Sequence, residues 1–188
     1  PDSISDVATL VVDERPEVTS QPSDKAICEN DSTLFGINAG VTTAPIYTWE
    51  YYDGAAWQVA DATEGTLFEN WDTDTLRVNG AGAGWDGTDF RAIVSNGCGP
   101  NDTSMVVTLT VHNRPLIADQ PDPAVTCEGV EALFGIDAGI TSFPAYTWEY
   151  NDGSGTWNPV VGAQYSGTGS DTLRVLNPVS SMNGYLYR

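Results

Sequence analysis

Histidine is almost absent from this chain: His112 is the only one in 188 residues. That excludes paired-histidine metal motifs and leaves a Ser-His-Asp arrangement almost no room. Positive charge is scarce as well. Seven Lys plus Arg stand against 26 Asp plus Glu, a formal net charge of −19. The chain therefore offers no cationic footprint for nucleic acid or for an anionic membrane surface. No run approaches the ~18 apolar residues of a membrane-crossing helix, so membrane insertion is not expected. No secretory leader is visible and the chain does not begin with Met, so it reads as a mature piece or a fragment. Phosphate loops, nucleophile elbows and zinc signatures are missing too. What is present is 40% hydrophobic residues with 19 Gly and 11 Pro, enough for a core in a turn-rich chain.

The chain repeats itself. Arg15 to Gly54 aligns with Arg114 to Gly153 at an offset of 99 without a gap, and 21 of those 40 positions are identical. The shared skeleton reads RP, QP, CE, LFGI, AG, P-x-YTWEY and DG. Further on, Trp57 answers to Trp157, Asp74–Val78 to Asp171–Val175, and Trp85–Arg91 to Met182–Arg188. A period of 99 fits one β-sandwich of ~100 residues and is too long for a solenoid unit. Period-2 alternation supports strands: Thr33, Phe35 and Ile37; Tyr47, Trp49 and Tyr51; Leu76 and Val78; Phe90, Ala92 and Val94; Val107, Leu109 and Val111. Asp53-Gly54, Asn79-Gly80, Asn96-Gly97 and Asp152-Gly153 mark turns. No helical stripe appears. The fold class is all-β, tandem sandwiches whose strands B, C, E, F and G carry Phe35, Trp49, Leu76, Phe90 and Leu109. Phe35 and Ala92 are the expected facing pair between the sheets. The predicted cores are Phe35, Trp49, Leu76, Val78, Phe90 and Val94 in one copy, and Phe134, Trp148, Leu173, Val175 and Tyr187 in the other.

These residues resemble a known family. A Cys before strand B, F-x-x-x-A-G on strand B, YTWEY on strand C and NGYLYR on strand F are similar to tandem immunoglobulin-like repeats of large secreted surface proteins of Bacteroidota-type bacteria. The resemblance covers essentially the whole chain. It implies an extracellular or cell-surface stalk, adhesin or fibre, non-catalytic and without a cofactor, whose partners are neighbouring repeats or subunits and cell-surface glycans. The alternative is an accessory carbohydrate-contacting module of a secreted hydrolase.

Residues 1–16 match 100–115, so residues 1–15 read as the G strand of a preceding repeat. Residues 16–114 form one repeat and 115–188 a second, cut within strand F. Two explanations stay open: a window from a longer array, or a strand that residues 7–12 donate to a neighbour's open sandwich.

Individual sites follow. Trp49 and Trp148 recur and belong to the core, whereas Trp71 does not recur and is a possible ligand platform. Asp72, Asp74, Asp86 and Asp89 are the densest acidic group, but their counterparts Gly169, Asp171, Asn183 and Leu186 do not keep it. A solvated acidic surface is expected there, with no metal. Asp31-Ser32-Thr33, Asp74-Thr75-Leu76 and Asp171-Thr172-Leu173 resemble the O-glycosylation pattern of the same bacterial group, making Ser32, Thr75 and Thr172 the candidates. Cys28 and Cys127 precede strand B and Cys98 lies in the F–G turn. An extracellular setting favours disulfides. Either Cys28 bonds Cys98 within a repeat, or the cysteines staple successive repeats, because the A–B and F–G turns sit at opposite poles of a sandwich.

Overall fold

The computed structural model describes residues 3–188, which divide into two compact units with the boundary between His112 and Asn113. The first unit contains nine strands: β1 (Lys25–Cys28), β2 (Thr33–Gly36), β3 (Ile46–Tyr52), β4 (Trp57–Val59), β5 (Phe68–Glu69), β6 (Thr75–Val78), β7 (Thr88–Ser95), β8 (Asp102–Thr103) and β9 (Val107–His112). One sheet has the order β1-β9-β7-β3-β4, with β8 beside β7; the other runs β2-β6-β5. All neighbours are antiparallel except β1 and β9, which run parallel with Lys25 opposite Leu109 and Cys28 opposite His112. Ser20 bridges Asn38 instead, so the segment before β2 first touches one sheet and then joins the other.

Alternation explains the layers. In β7 the even-numbered Phe90, Ala92 and Val94 are fully buried, while Asp89, Arg91, Ile93 and Ser95 face outward. All six residues expected in the first core are buried completely. The ring partner of Phe35 is Phe90, stacked at 4.9 Å, two residues before Ala92 on the same inward face. Trp49 stands across from Ala92 in the β3–β7 register. Its indole Nε1 donates to Thr73 O at 3.0 Å, tying strand β3 to the turn that leads into β6. Only three-residue 3-10 turns interrupt the strands, at Ala62–Glu64 and Ala83–Trp85 in this unit.

The second unit repeats the plan with β10 (Ala132–Gly135), β11 (Glu149–Asn151), β12 (Asn158–Pro159), β13 (Tyr165–Ser166), β14 (Thr172–Val175) and β15 (Leu186–Tyr187). One sheet is β10-β14-β13 and the other β12-β11-β15. Trp148 Nε1 donates to Ser170 O at 2.9 Å, the same tie as in the first unit. The turn it holds has Gly167 at φ 74 where the first unit has Asn70 at φ 58, both left-handed. Ser170 and Thr73 hydroxyls close the two turns on the carbonyls of Gly167 and Asn70. Trp148, Leu173 and Val175 are buried, but Phe134 and Tyr187 are only partly so.

Candidate functional site

On the outward face of the larger sheet, three side chains from three strands form one stack. Arg91 of β7 lies across from Glu50 of β3. Its Nη2 and Nε reach Glu50 Oε2 at 2.6 and 2.7 Å. The guanidinium also lies 4.0 Å from the ring centre of Trp57 at the start of β4. The second unit keeps the cassette: Arg188 binds Glu149 at 2.7 Å and covers Trp157 at 4.1 Å. Trp57 and Trp157 are therefore the aromatic floors of cross-strand ion pairs.

Beside this stack the first unit has a cleft of about 400 Å3 lined by Tyr51, Tyr52, Glu64, Trp85 and Asp86. Tyr51 donates to Glu64 Oε1 at 2.8 Å. Burial first, and then that hydrogen bond, push its phenol up to about 12. Trp85 meets Tyr51 and Phe68 edge-on, while Asp86 accepts from Val111 N at 2.8 Å. Aromatic rings beside acidic oxygens can contact a polar ring such as a sugar, but the acids here already hold the fold.

The acidic surface behaves as fold chemistry. Asp89 accepts from the Thr108 hydroxyl at 2.6 Å and Asp74 from the Thr75 hydroxyl at 3.0 Å. Among the described residues, no group of three or more His, Cys, Asp or Glu side chains gathers as a metal-binding set. Three turn carboxylates sit below their ordinary value of 3.8. Asp53 is held down by the backbone N–H groups of Ala56 and Ala55, Asp61 by the Thr63 hydroxyl, and Asp152 by the Ser154 hydroxyl. Since their folded values lie below the unfolded one, their stabilisation is complete above about pH 3.8 and disappears as the pH falls through the folded values. Carboxyl carbon NMR titration is expected to give midpoints below 3.8 for all three.

The other sequence candidates are scattered. Trp71 is half-buried and packs against the first core. Ser32 is exposed and accepts from Gly80 N at 3.3 Å. Thr75 and Thr172 are half-buried on outward strand faces, each opposite a glycine, Gly36 and Gly135. That missing side chain leaves one flank of each hydroxyl open.

The cysteines lie at the poles. Cys28 stands opposite His112, where the chain leaves the first unit. Cys98 follows β7 at the other end, where its N–H binds Asn96 Oδ1 at 2.8 Å and Asn96 Nδ2 binds Glu14 O at 2.7 Å. Asp102 pairs with Val94 near that end, and the run from there to His112, at about 3.3 Å per residue, separates the poles by roughly 30 Å. A bridge needs Cα atoms within ~7 Å. Non-reducing peptide mapping is therefore expected to yield no Cys28–Cys98 peptide; such a peptide would contradict this strand arrangement. Cys28 and Cys127 are exposed, Cys98 is half-buried, and all three are thiols here.

Comparison with known structures decides the fold. The chain matches the titin I-band fragment I67–I69 with a TM-score of 0.59 at 16% identity, over 93% of this chain and 60% of that one. It matches DIP-gamma IG1+IG2 with a TM-score of 0.58 at 17% identity, over 94% and 90%. Both units are immunoglobulin-like β-sandwiches. In sequence, the chain is 32% identical to Endoglucanase C of Cellulomonas fimi over 147 residues, 77% of this chain and 12% of that protein. It is 29% identical to human Roundabout homolog 1 over 144 residues, 77% of this chain and 8% of that protein. The immunoglobulin-like tandem thus corresponds to a small part of each of these long relatives. No family model matches the chain. Among the described residues, no helix is long and apolar enough to cross a membrane.

Proposed function

We propose that this immunoglobulin-like tandem is part of a long extracellular, cell-surface protein, where it serves as a stalk or filament shaft with a structural and adhesive role. The observation that carries the reading is the regular construction of the two units. Six of the nine strands, the Trp-to-turn tie and the Arg–Glu–Trp cassette recur, and an Arg-Pro pair opens each repeat. Proline fixes its own φ and restricts the residue before it, which stiffens such joints. Similarity to short stretches of much longer proteins supports a modular role. The partners are neighbouring repeats or subunits, together with cell-surface glycans. Catalysis is not part of this reading. Negative-stain imaging of the native material tests the shaft: extended fibres or stalks are expected, and compact single particles would overturn it.

The likeness to Endoglucanase C and the aromatic cleft of the first unit support a second reading, an accessory glucan-contacting module of a secreted hydrolase. Retention of the chain on insoluble cellulose, lost in Trp85→Ala, would favour that module over the shaft. In the shaft reading the cysteines at the poles staple successive repeats, and Ser32, Thr75 and Thr172 carry O-linked sugar. Peptide mass mapping of the native protein is expected to show added mass on the peptides that hold Ser32, Thr75 and Thr172; those peptides at their bare masses would remove the sugar.

A further inference from the structure

The cleft beside Tyr51 in the first unit is both aromatic and acidic. It is lined by the rings of Tyr51, Tyr52 and Trp85 and by the carboxylates of Asp53, Glu64 and Asp86. Among the described residues that line it, none is Lys or Arg. The rings are fixed in place. Tyr51 lies 5.1 Å from Trp85 and 5.4 Å from Phe68, centre to centre, and Tyr52 lies 5.5 Å from Trp57. Glu64 and Asp86 each give one oxygen to the fold, Oε1 to the Tyr51 hydroxyl and Oδ1 to Val111 N, and each keeps a second. After burial and the bond to Glu64, the charges of Glu64, Asp53 and Asp61 add to the rise of the Tyr51 phenol, so the field in the cleft is negative.

The chain itself shows what such a set takes. On the same strand, next to Tyr51, Glu50 holds the Arg91 guanidinium at 2.6 and 2.7 Å, and the Trp57 ring lies against that guanidinium at 4.0 Å. Glu149 and Trp157 grip Arg188 in the same way. The cleft offers the same two contacts, carboxylate and ring, and the cation is the part its lining does not supply.

The sandwich does not require this set. The core tryptophan and the Arg–Glu–Trp cassette recur in the second unit, but Met182 stands there in place of Trp85 and Asn183 in place of Asp86. Residues 158–170, which answer to 58–73, contain no acid, so Asp61 and Glu64 have no counterpart either.

The geometry points to a binding site for the guanidinium of an arginine side chain carried by a partner protein. The flat face of a guanidinium meets an aromatic ring while its N–H fork reaches carboxylate oxygens, a combination that the compact ammonium of lysine does not offer. A chain of net charge −19 draws a basic partner through its field. This inference is independent of the shaft reading, and it gives the cleft a cation where the second reading has a glucan.

NMR titration of the full chain with N-acetyl-L-arginine amide tests it. The Trp85 indole signal, identified by its loss in Trp85→Met, should shift together with the Gly84 and Gly87 amide signals and saturate in the millimolar range. The Trp157 indole signal should stay in place. Trp85→Met installs the residue that the second unit folds with, and should weaken binding roughly 3- to 30-fold, read from the two glycine amides. Glu64→Gln changes only the charge of an exposed side chain, and should weaken binding at least about threefold with an unchanged circular dichroism spectrum. N-acetyl-citrulline amide, the neutral counterpart of the probe, should shift nothing. Free arginine, whose own carboxylate the cleft repels, should bind more weakly than the amide. No shift at any probe concentration, equal binding of the citrulline amide, tighter binding of free arginine, or full affinity in Glu64→Gln would each overturn the proposal. Cellopentaose moving these signals where the arginine amide does not would overturn it in favour of the glucan module.

Discussion

Trp49→Ala is expected to destabilise the first unit by about 3–5 kcal/mol, the usual cost of emptying a buried aromatic site. Trp49 has no exposed surface and packs 6.5 Å from the Phe35 ring centre. Deleting it opens a cavity between the sheets and also strands Thr73 O, which accepts the indole N–H at 3.0 Å. The two losses can be separated. Trp49→Phe keeps most of the volume and gives up the hydrogen bond, so about 1–3 kcal/mol is expected from the unsatisfied carbonyl and the smaller ring. Urea denaturation followed through the first unit measures both. A loss under about 1 kcal/mol for the alanine variant would mean that the indole is not a core anchor.

Leu173→Ala should damage the second unit severely. Leu173 is fully buried in a cluster with Ala132, Trp148, Val160, Tyr165 and Val175. That cluster is smaller than the one in the first unit, where β9 adds Val107, Leu109 and Val111. A Leu→Ala loss of about 2–5 kcal/mol is comparable with the whole stability of a small domain. The variant is therefore expected to lose the amide and ring signals of the second unit by NMR. The Phe90 and Leu109 signals of the first unit should stay in place, because the units are separately compact. Coincident loss of both sets would mean that the two fold as one cooperative body.

Much of this was legible in the residues. The 99-residue offset and the alternation around Phe35, Trp49, Leu76, Phe90 and Leu109 identified five strands per sandwich, and the first core matches what the alternation predicts. Strands β1, β4, β5 and β8 were not legible. With two to four residues each, they are too short to show a period and are specified by the strand each lies against. The partial exposure of Phe134 and Tyr187 could not be read from their own positions, which alternate as buried ones do. The candidate sites divide the same way. The Arg–Glu–Trp cassette left a signal, because Glu50, Trp57 and Arg91 all recur as Glu149, Trp157 and Arg188, but nothing local says that the three meet. Trp71 carried no repeat signal, and only the tertiary packing shows its ring against the core.

The parallel pairing of β1 with β9 has a mechanical meaning. Tension on the chain pulls β1 from its N-terminal end and β9 from its C-terminal end. Two parallel strands loaded in that way slide along each other, so every hydrogen bond from Lys25 to His112 is strained together, and none can be peeled off first. An antiparallel hairpin held at one end opens like a zipper, one bond at a time. A pull that reaches this pair would therefore load it in shear, and a break there would be abrupt.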